Sequence, residues 1–336
     1  MNSWALSAVA AGRSVKAKKG FRKGEEGKMK CYKQMQPSTG ELAAALGSFD
    51  GLHLGHRQVI GNTLSSHGLL PAVVTFQQNP SASLKEKPVP LLTTNEQKLD
   101  LLEEIGVDTV YLLSFDQIRD MEPEDFVDAL YQVCRVRKLC CGFNFRFGKN
   151  GRGDAELLKT LCREKGIELC VVPPVAIGGE PVSSTRIRAC LEQGDVQQAG
   201  QLLGRPFGYD FEVTHGRQLG RTWGTPTINQ PFPAGYVLPR FGVYASLVEV
   251  DSKKYYGVTN IGVKPTVGSD CALSETWIPE FSGDLYGKKV PVELLDFIRP
   301  EKKFDSLDEL KNEILENGVL ARKIAEREWK EPFWKR

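Results

Sequence analysis

Between residues 42 and 203 the chain alternates short apolar runs with amphipathic stretches of helical length, and this change of period is the strongest constraint on its fold. Strands are predicted at 42–46, 72–76, 109–113, 138–141 and 168–172, with helices between them at 54–66, 95–105, 123–133 and 154–165. Thr94 and the step from Glu122 to Pro123 supply helix-start signals. A strand–helix–strand order of this kind implies an α/β unit with a parallel sheet, helices on both faces, and ligands at the carboxyl ends of the strands. Two more helices, at 184–193 and 195–203, lead to Gly204, Arg205 and Pro206, after which the texture changes. Strands separated by Gly, Pro and Asp are expected at 211–214, 243–250, 254–260, 275–281 and 290–297. A single helix is expected at 306–316, where Ser306 and Glu309 have the spacing of a capping box. A small antiparallel barrel followed by one helix fits this order.

Composition narrows the class. At ~100–200 residues per domain, 336 residues suggest two domains, and 41% hydrophobic with 26% charged residues excludes a disordered or fibrous chain. The net charge of +2 gives too weak a field to imply nucleic acid or anionic lipid as a partner. No apolar run approaches the ~18 residues of a membrane span. The basic residues are unevenly placed. Residues 1–35 carry nine Lys or Arg against Glu25 and Glu26, or +7, which leaves −5 for the remainder. Residues 1–38 read as a basic, disordered extension with no assigned function. The eight cysteines are scattered without a CxxC pair, which suits a reducing, cytoplasmic setting and speaks against a disulfide framework or a zinc site.

Two motifs carry chemistry. The first is GSFDGLHLGH, residues 47–56, at a predicted strand-to-helix junction. His53 and His56 are three residues apart, so they share a face of the first helical turn beside free backbone N–H groups and the positive end of the helix dipole. Gly47, Gly51 and Gly55 would let the backbone approach a triphosphate closely, and Phe49 belongs to the same loop. The second motif is VSSTRIR, residues 182–188. Ser183 or Ser184 can cap the helix, Thr185 adds a hydroxyl, and Arg188, about a turn on, offers a guanidinium to phosphate oxygens.

Together these residues resemble the nucleotidyltransferase superfamily, which carries HxGH early and ISSTxIR late in a dinucleotide-fold domain. The fuller series of VVTFQQNP, LLTTNEQKLDLLEEIGVD, CGFNFRFGKNGRGD and VSSTRIRACLEQGDV is similar to the adenylyltransferase domain of bacterial bifunctional riboflavin kinase/FAD synthetases. Downstream, VTHGRQLGRTWGTPTIN, FGVYASL, NIGVKPTVG, ETWIPEFSGDLYG and VELLDFIRPEKKFDSLDEL resemble the kinase half of that family. The resemblance covers about 41–325. It implies an adenylyltransferase domain at 39–205 and a six-stranded Greek-key barrel with a carboxy-terminal helix at 206–328, leaving 329–336 as a tail.

The resemblance also implies roles. Riboflavin would be phosphorylated by ATP to FMN, and FMN adenylylated to FAD with release of pyrophosphate, Mg²⁺ assisting. Ser184, Thr185 and Arg188 would contact ATP phosphates, and Asn144 the flavin phosphate or the metal. No GxxxxGK[ST] loop exists, so the phosphate loop of the kinase must be of another kind. Gly216, Gly220 and Gly224 can form a flap over the nucleotide. Thr227 and Asn229, two apart on an extended segment, can hold Mg²⁺ from one face. Attack by a neutral ribityl hydroxyl calls for a carboxylate base, and Glu275 matches the family's glutamate.

Several positions depart from the family pattern: Ser48 in place of Asn, Asn79 of His, Thr225 and Val267 of Phe, and Glu280 of Asp. None removes a proposed ligand or base, although Thr225 and Val267 thin an apolar wall near the flap. Two other classes are weaker. A nucleotidyltransferase for a different phosphate monoester leaves TPTIN and ETW unexplained, and a nucleic-acid binder conflicts with the acidic balance after residue 35. The sequence leaves the oligomeric state open.

Overall fold

The computed structural model describes residues 28–78, 89–216, 225–266 and 269–335. The first unit is built on a parallel sheet of six strands: β1 (Lys30–Tyr32), β2 (Leu42–Leu46), β3 (Leu70–Phe76), β4 (Thr109–Leu113), β5 (Val136–Gly142) and β6 (Glu168–Val172), in the order β1-β4-β3-β2-β5-β6. Alternation along each strand divides the core into two layers. Leu42, Ala44, Leu46, Val74, Tyr111 and Leu139 pack with residues of α3 (Pro123–Asp128) and α4 (Ala155–Lys165). Ala45, Val73, Val110, Leu112 and Cys140 face α1 (Leu54–Leu64) and α2 (Asn95–Glu104). Because β3 and β5 flank β2, the strand order reverses at β2, and a crevice opens there at the carboxyl ends of the strands.

The expected elements of this unit form, with small changes at their ends. The helix expected at 123–133 becomes α3 followed by a π-helical turn at Ala129–Val133. A short hairpin of β7 (Ala176–Ile177) and β8 (Glu180–Pro181) was not anticipated and precedes α5 (Ser184–Gln193) and α6 (Val196–Leu203).

Strand β1 is a correction. It lies within the stretch read as disordered extension, yet it pairs with Thr109–Tyr111 of β4. The Tyr32 ring lies 5.4 Å from that of Tyr111, and Met29 and Met35 pack against opposite layers. Interleaved lysines hid these apolar anchors in the sequence, and charged side chains suit an edge strand. The first 27 residues lie outside the described residues.

The second unit is an antiparallel sheet of β9 (Phe207–Tyr209), β10 (Thr227–Pro231), β11 (Gly242–Val250), β12 (Lys253–Thr266), β13 (Ser269–Trp277) and β14 (Val292–Arg299), in the order β10-β13-β12-β11-β14-β9. Strands β10 to β13 form a Greek key. The segment after β9 bridges Glu212 to Lys289 and Thr214 to Asn229, so it joins both edges of the curled sheet. The strand expected at 211–214 is thus β9 plus these bridges. The one expected at 275–281 is β13, which stops at Trp277, two residues before Pro279, a residue unable to donate to a ladder. Helix α7 (Leu307–Lys330) is twice the expected length and covers the outer face through Ala321, Ile324 and Ala325, which meet Val243, Leu247 and Leu295.

The two units share one core. Leu92, Ile187, Leu191 and Leu202 of the first pack with Phe207, Tyr209, Tyr236, Tyr244 and Val292 of the second. Leu91 bridges in parallel to Tyr236, and the amide of Gln97, which completes the capping box of α2, donates to Asp210.

Candidate active sites

The β2–α1 loop curls tightly, with Phe49, Gly51 and Leu52 all at positive φ (48°, 84° and 39°). Phe49 and Leu52 pay this strain by burying their side chains in the layer under α1. The ring of Phe49 lies beneath Gly47, where a Cβ would approach it to 3.0 Å.

His53 is the N-cap of α1: its Nδ1 accepts the backbone N–H of His56 at 3.3 Å, and its ring stacks on that of His56. Burial, with Arg205 and Arg188 nearby, pushes the His53 ring down to about 4. Burial and the neighbouring His53 and Lys98 push His56 well below its ordinary value. A neutral ring whose Nδ1 accepts must carry its proton on Nε2, so His53 presents a donor. The Nδ1 of His56 is buried with no partner among the described residues.

Ser183 caps α5 by accepting the N–H of Arg186 at 3.2 Å, a bond of about 1 kcal/mol, and Ser184 Oγ donates to the carbonyl of Asp50 at 2.9 Å. These helix starts face one cleft of about 630 Å³, within the size range of small-molecule sites. Gly47, Phe49, His53, Gly55, His56, Asn144 and Ser184, all singled out in the sequence, line it together with Ser183.

Three others do not. Gly51 turns away, and a Cβ there would meet Leu92 at 2.9 Å. Thr185 is exposed outside the lining, and Arg188 is buried behind it. Among the described residues the Lys or Arg that lines the cleft is Arg146, which sequence reasoning passed over although it stands in the same FNFRFG run as Asn144. It is exposed and reaches Asp154 at only 3.5 Å. Phe143, 51% exposed, and Pro173, Pro174 and Val175 add an apolar wall. Ser48, a departure from the family pattern, acts through its carbonyl, which accepts from Thr75 Oγ1 and Lys98 Nζ.

A second cluster forms on the barrel. Asn229 of β10 is directly opposite Glu275 of β13, which is in turn opposite Asn260 of β12. Opposed residues in antiparallel strands point to the same face, and Thr227, two residues from Asn229, shares it. Asn229 is buried and its Oδ1 has no hydrogen-bond partner among the described residues. Its amide lies against Gly216, where a Cβ would come within 2.5 Å of Nδ2. Beside it the His215 ring stacks on Tyr286 at 3.8 Å. Thr225 is buried, and Glu280 pairs with Arg322 at 3.8 Å. Gly220, Gly224, Asn79 and Val267 lie outside the described residues.

No helix among the described residues is long and apolar enough to cross a membrane. An FAD synthetase family model matches residues 35–186, and a riboflavin kinase model matches residues 203–325. The chain is 35% identical over 273 residues to the bifunctional riboflavin kinase/FMN adenylyltransferase of Listeria monocytogenes, covering 79% of this chain and 87% of that protein. To the Escherichia coli protein of the same name it is 37% identical over 287 residues, covering 83% and 91%. Among solved structures it resembles a macrolide-efflux protein from Streptococcus pneumoniae, with a TM-score of 0.79 and 30% identity over 87% of this chain and 98% of that one. With both halves matched in order and most of each relative covered, the chain belongs to the bifunctional riboflavin kinase/FMN adenylyltransferase family.

Proposed function

We propose that the two activities divide between the two clusters: adenylyl transfer to FMN in the β2–α1 cleft, and phosphorylation of riboflavin on the barrel around Glu275. In the first, an FMN phosphate oxygen attacks the α-phosphorus of ATP and the bond to pyrophosphate breaks. The nucleophile is ionised at neutral pH, so no general base is needed, and positioning with charge stabilisation suffices. The His53 Nε2 proton, the His56 ring, Arg146 and the amino ends of α1 and α5 supply donors toward the phosphates. Asn144 and the exposed Phe143 suit the flavin side of the cleft.

In the second, the ribityl hydroxyl must lose a proton as it attacks the γ-phosphorus, and Glu275 is the acceptor. The register that sets this carboxylate opposite Asn229 is the observation that carries the reading. Hydroxyl, amide and carboxylate oxygens are hard donors, and the buried Oδ1 of Asn229, without a partner among the described residues, suits Mg²⁺, which Thr227 and Asn229 would hold. Bound there with ATP, the ion would neutralise phosphate charge. Riboflavin, FMN and ATP are then the substrates. A cytoplasmic setting is supported by the free thiols of the seven described cysteines.

The purified chain supplied with riboflavin, ATP and Mg²⁺ should yield FMN and then FAD by chromatography. His56→Ala should stop the sequence at FMN. Glu275→Ala should block FMN formation while still converting supplied FMN to FAD. Equal impairment of both steps by both substitutions overturns the assignment.

A further inference from the structure

Arg188 has the spacing of a phosphate ligand, but its guanidinium is committed elsewhere. Its Nε donates to the carbonyl of Pro90 at 2.6 Å and its Nη2 pairs with the carboxylate of Asp50. Both side chains are buried, and neither residue lines the cleft. Asp50 sits in the middle of the strained loop, between Phe49 and Gly51, both at positive φ. Its Oδ1 accepts the backbone N–H groups of Leu92 (2.9 Å) and Thr93 (3.2 Å), and its own carbonyl accepts from Ser184. Gly51 N–H donates to Thr93 Oγ1 at 3.2 Å. Asp50 therefore ties the histidine loop to α5, through its carboxylate to Arg188 and its backbone carbonyl to Ser184, and to the segment at 92–93.

That segment is itself anchored. Leu91 N–H donates to the Gly235 carbonyl at 2.7 Å, and Val237 N–H donates to the Leu91 carbonyl at 2.8 Å. Left-handed conformations at non-glycine residues are costly and persist only where the surroundings over-determine them. Here the buried side chains of Phe49 and Leu52 hold the two ends of the turn, and Asp50, held by Arg188, fixes its middle.

We propose that Asp50 and Arg188 form one positioning unit that holds the Phe49–His53 turn in its reactive shape, with Arg188 acting through Asp50 and not on the triphosphate. This rests on the reading that adenylyl transfer occurs in the β2–α1 cleft. Breaking a buried pair leaves an unpaired charge, whereas removing both charges does not, so the two residues must be strongly coupled.

The test compares full-length Asp50→Asn, Arg188→Gln and the double variant in steady-state conversion of FMN to FAD, with riboflavin phosphorylation on the same samples reporting that the chain is folded. Each single substitution should lower kcat at least about tenfold while changing the KM for ATP less than about threefold, and the double should be no slower than the worse single. A KM for ATP raised tenfold or more by Arg188→Gln, with effects that multiply in the double, overturns the proposal in favour of direct phosphate binding.

Should the charged variants lose riboflavin phosphorylation as well, Thr93→Val supplies a separate test, because it removes the acceptor for Gly51 N–H and the long 3.5 Å contact of Thr93 Oγ1 with Asp50 Oδ1 while leaving both charges in place. It should slow adenylylation several-fold at unchanged KM for ATP, and wild-type kcat would refute the positioning role. If His56→Ala still makes FAD, the underlying assignment of the cleft has failed, independently of how Asp50 and Arg188 couple.

Discussion

The rings of His53 and His56 are stacked with centroids 3.6 Å apart and planes 16° from parallel. Two imidazolium ions at that separation would repel strongly in a buried setting, and both rings are held neutral. The free pocket therefore offers hydrogen-bond donors and acceptors from these rings and not two positive charges. A triphosphate beside them would favour the charged form. Binding of a non-hydrolysable ATP analogue near pH 7 should thus take up as much as about one proton. Calorimetry in buffers of differing ionisation enthalpy measures this. The uptake should fall in His56→Ala, and zero uptake in the wild type would contradict the account.

His53 also makes stability depend on pH in a defined direction. In the unfolded chain its ring holds a proton up to about pH 6.5, but in the folded protein only below about 4. The unfolded state therefore binds more protons between these values, and folded stability rises with pH across that window by up to about 3 kcal/mol. Urea unfolding of wild type and His53→Gln from pH 4 to 7 should show a shallower pH dependence in the variant, even though losing the N-cap lowers its stability throughout. Parallel curves would show that the ring does not titrate as its burial requires.

On the barrel, Asn229 Oδ1 is buried with no hydrogen-bond partner among the described residues, and its proposed role as a Mg²⁺ ligand predicts that the two activities differ in metal demand. Asn229→Ala should raise the Mg²⁺ concentration for half-maximal FMN formation about tenfold, equivalent to about 1.4 kcal/mol of binding. Conversion of supplied FMN to FAD should keep its wild-type Mg²⁺ dependence. A titration in which both steps shift together would remove Asn229 from the kinase site.

What the sequence revealed was local. His53, His56 and Ser183 were legible because a loop entering a helix writes its caps and glycines within a few residues, and the parallel-sheet order followed from the alternation of periods. What stayed hidden depends on distant partners. Arg188 finds Asp50 across 138 residues, so its spacing alone suggested a ligand. Arg146 was masked by the neighbouring Asn144, and β10, read as an extended segment through Thr227 and Asn229, was not recognised as a sheet strand because of the proline and glycine around it. Strand β1, only three residues long, was concealed by Lys28, Lys30 and Lys33, which are interleaved with Met29, Tyr32 and Met35. The helix expected to end at 316 runs on to Lys330, through Asn317 and Gly318.

Gly318 is therefore kept for closeness and not for termination. A Cβ there would lie 2.8 Å from the Trp277 ring, which packs in the layer under α7. Two effects compete in Gly318→Ala. Helix propensity favours alanine by roughly 1 kcal/mol. Overpacking against an aromatic ring held by its neighbours costs about 1–3 kcal/mol. The packing cost wins, so Gly318→Ala should be destabilising by about 1 kcal/mol, whereas Val319→Ala, at a side chain 60% exposed, should change stability by less than about 0.5 kcal/mol. Urea midpoints of the two variants decide the matter. A more stable Gly318→Ala would mean that Trp277 can withdraw from the helix, and that the outer face of the barrel is less tightly closed by α7 than its packing indicates.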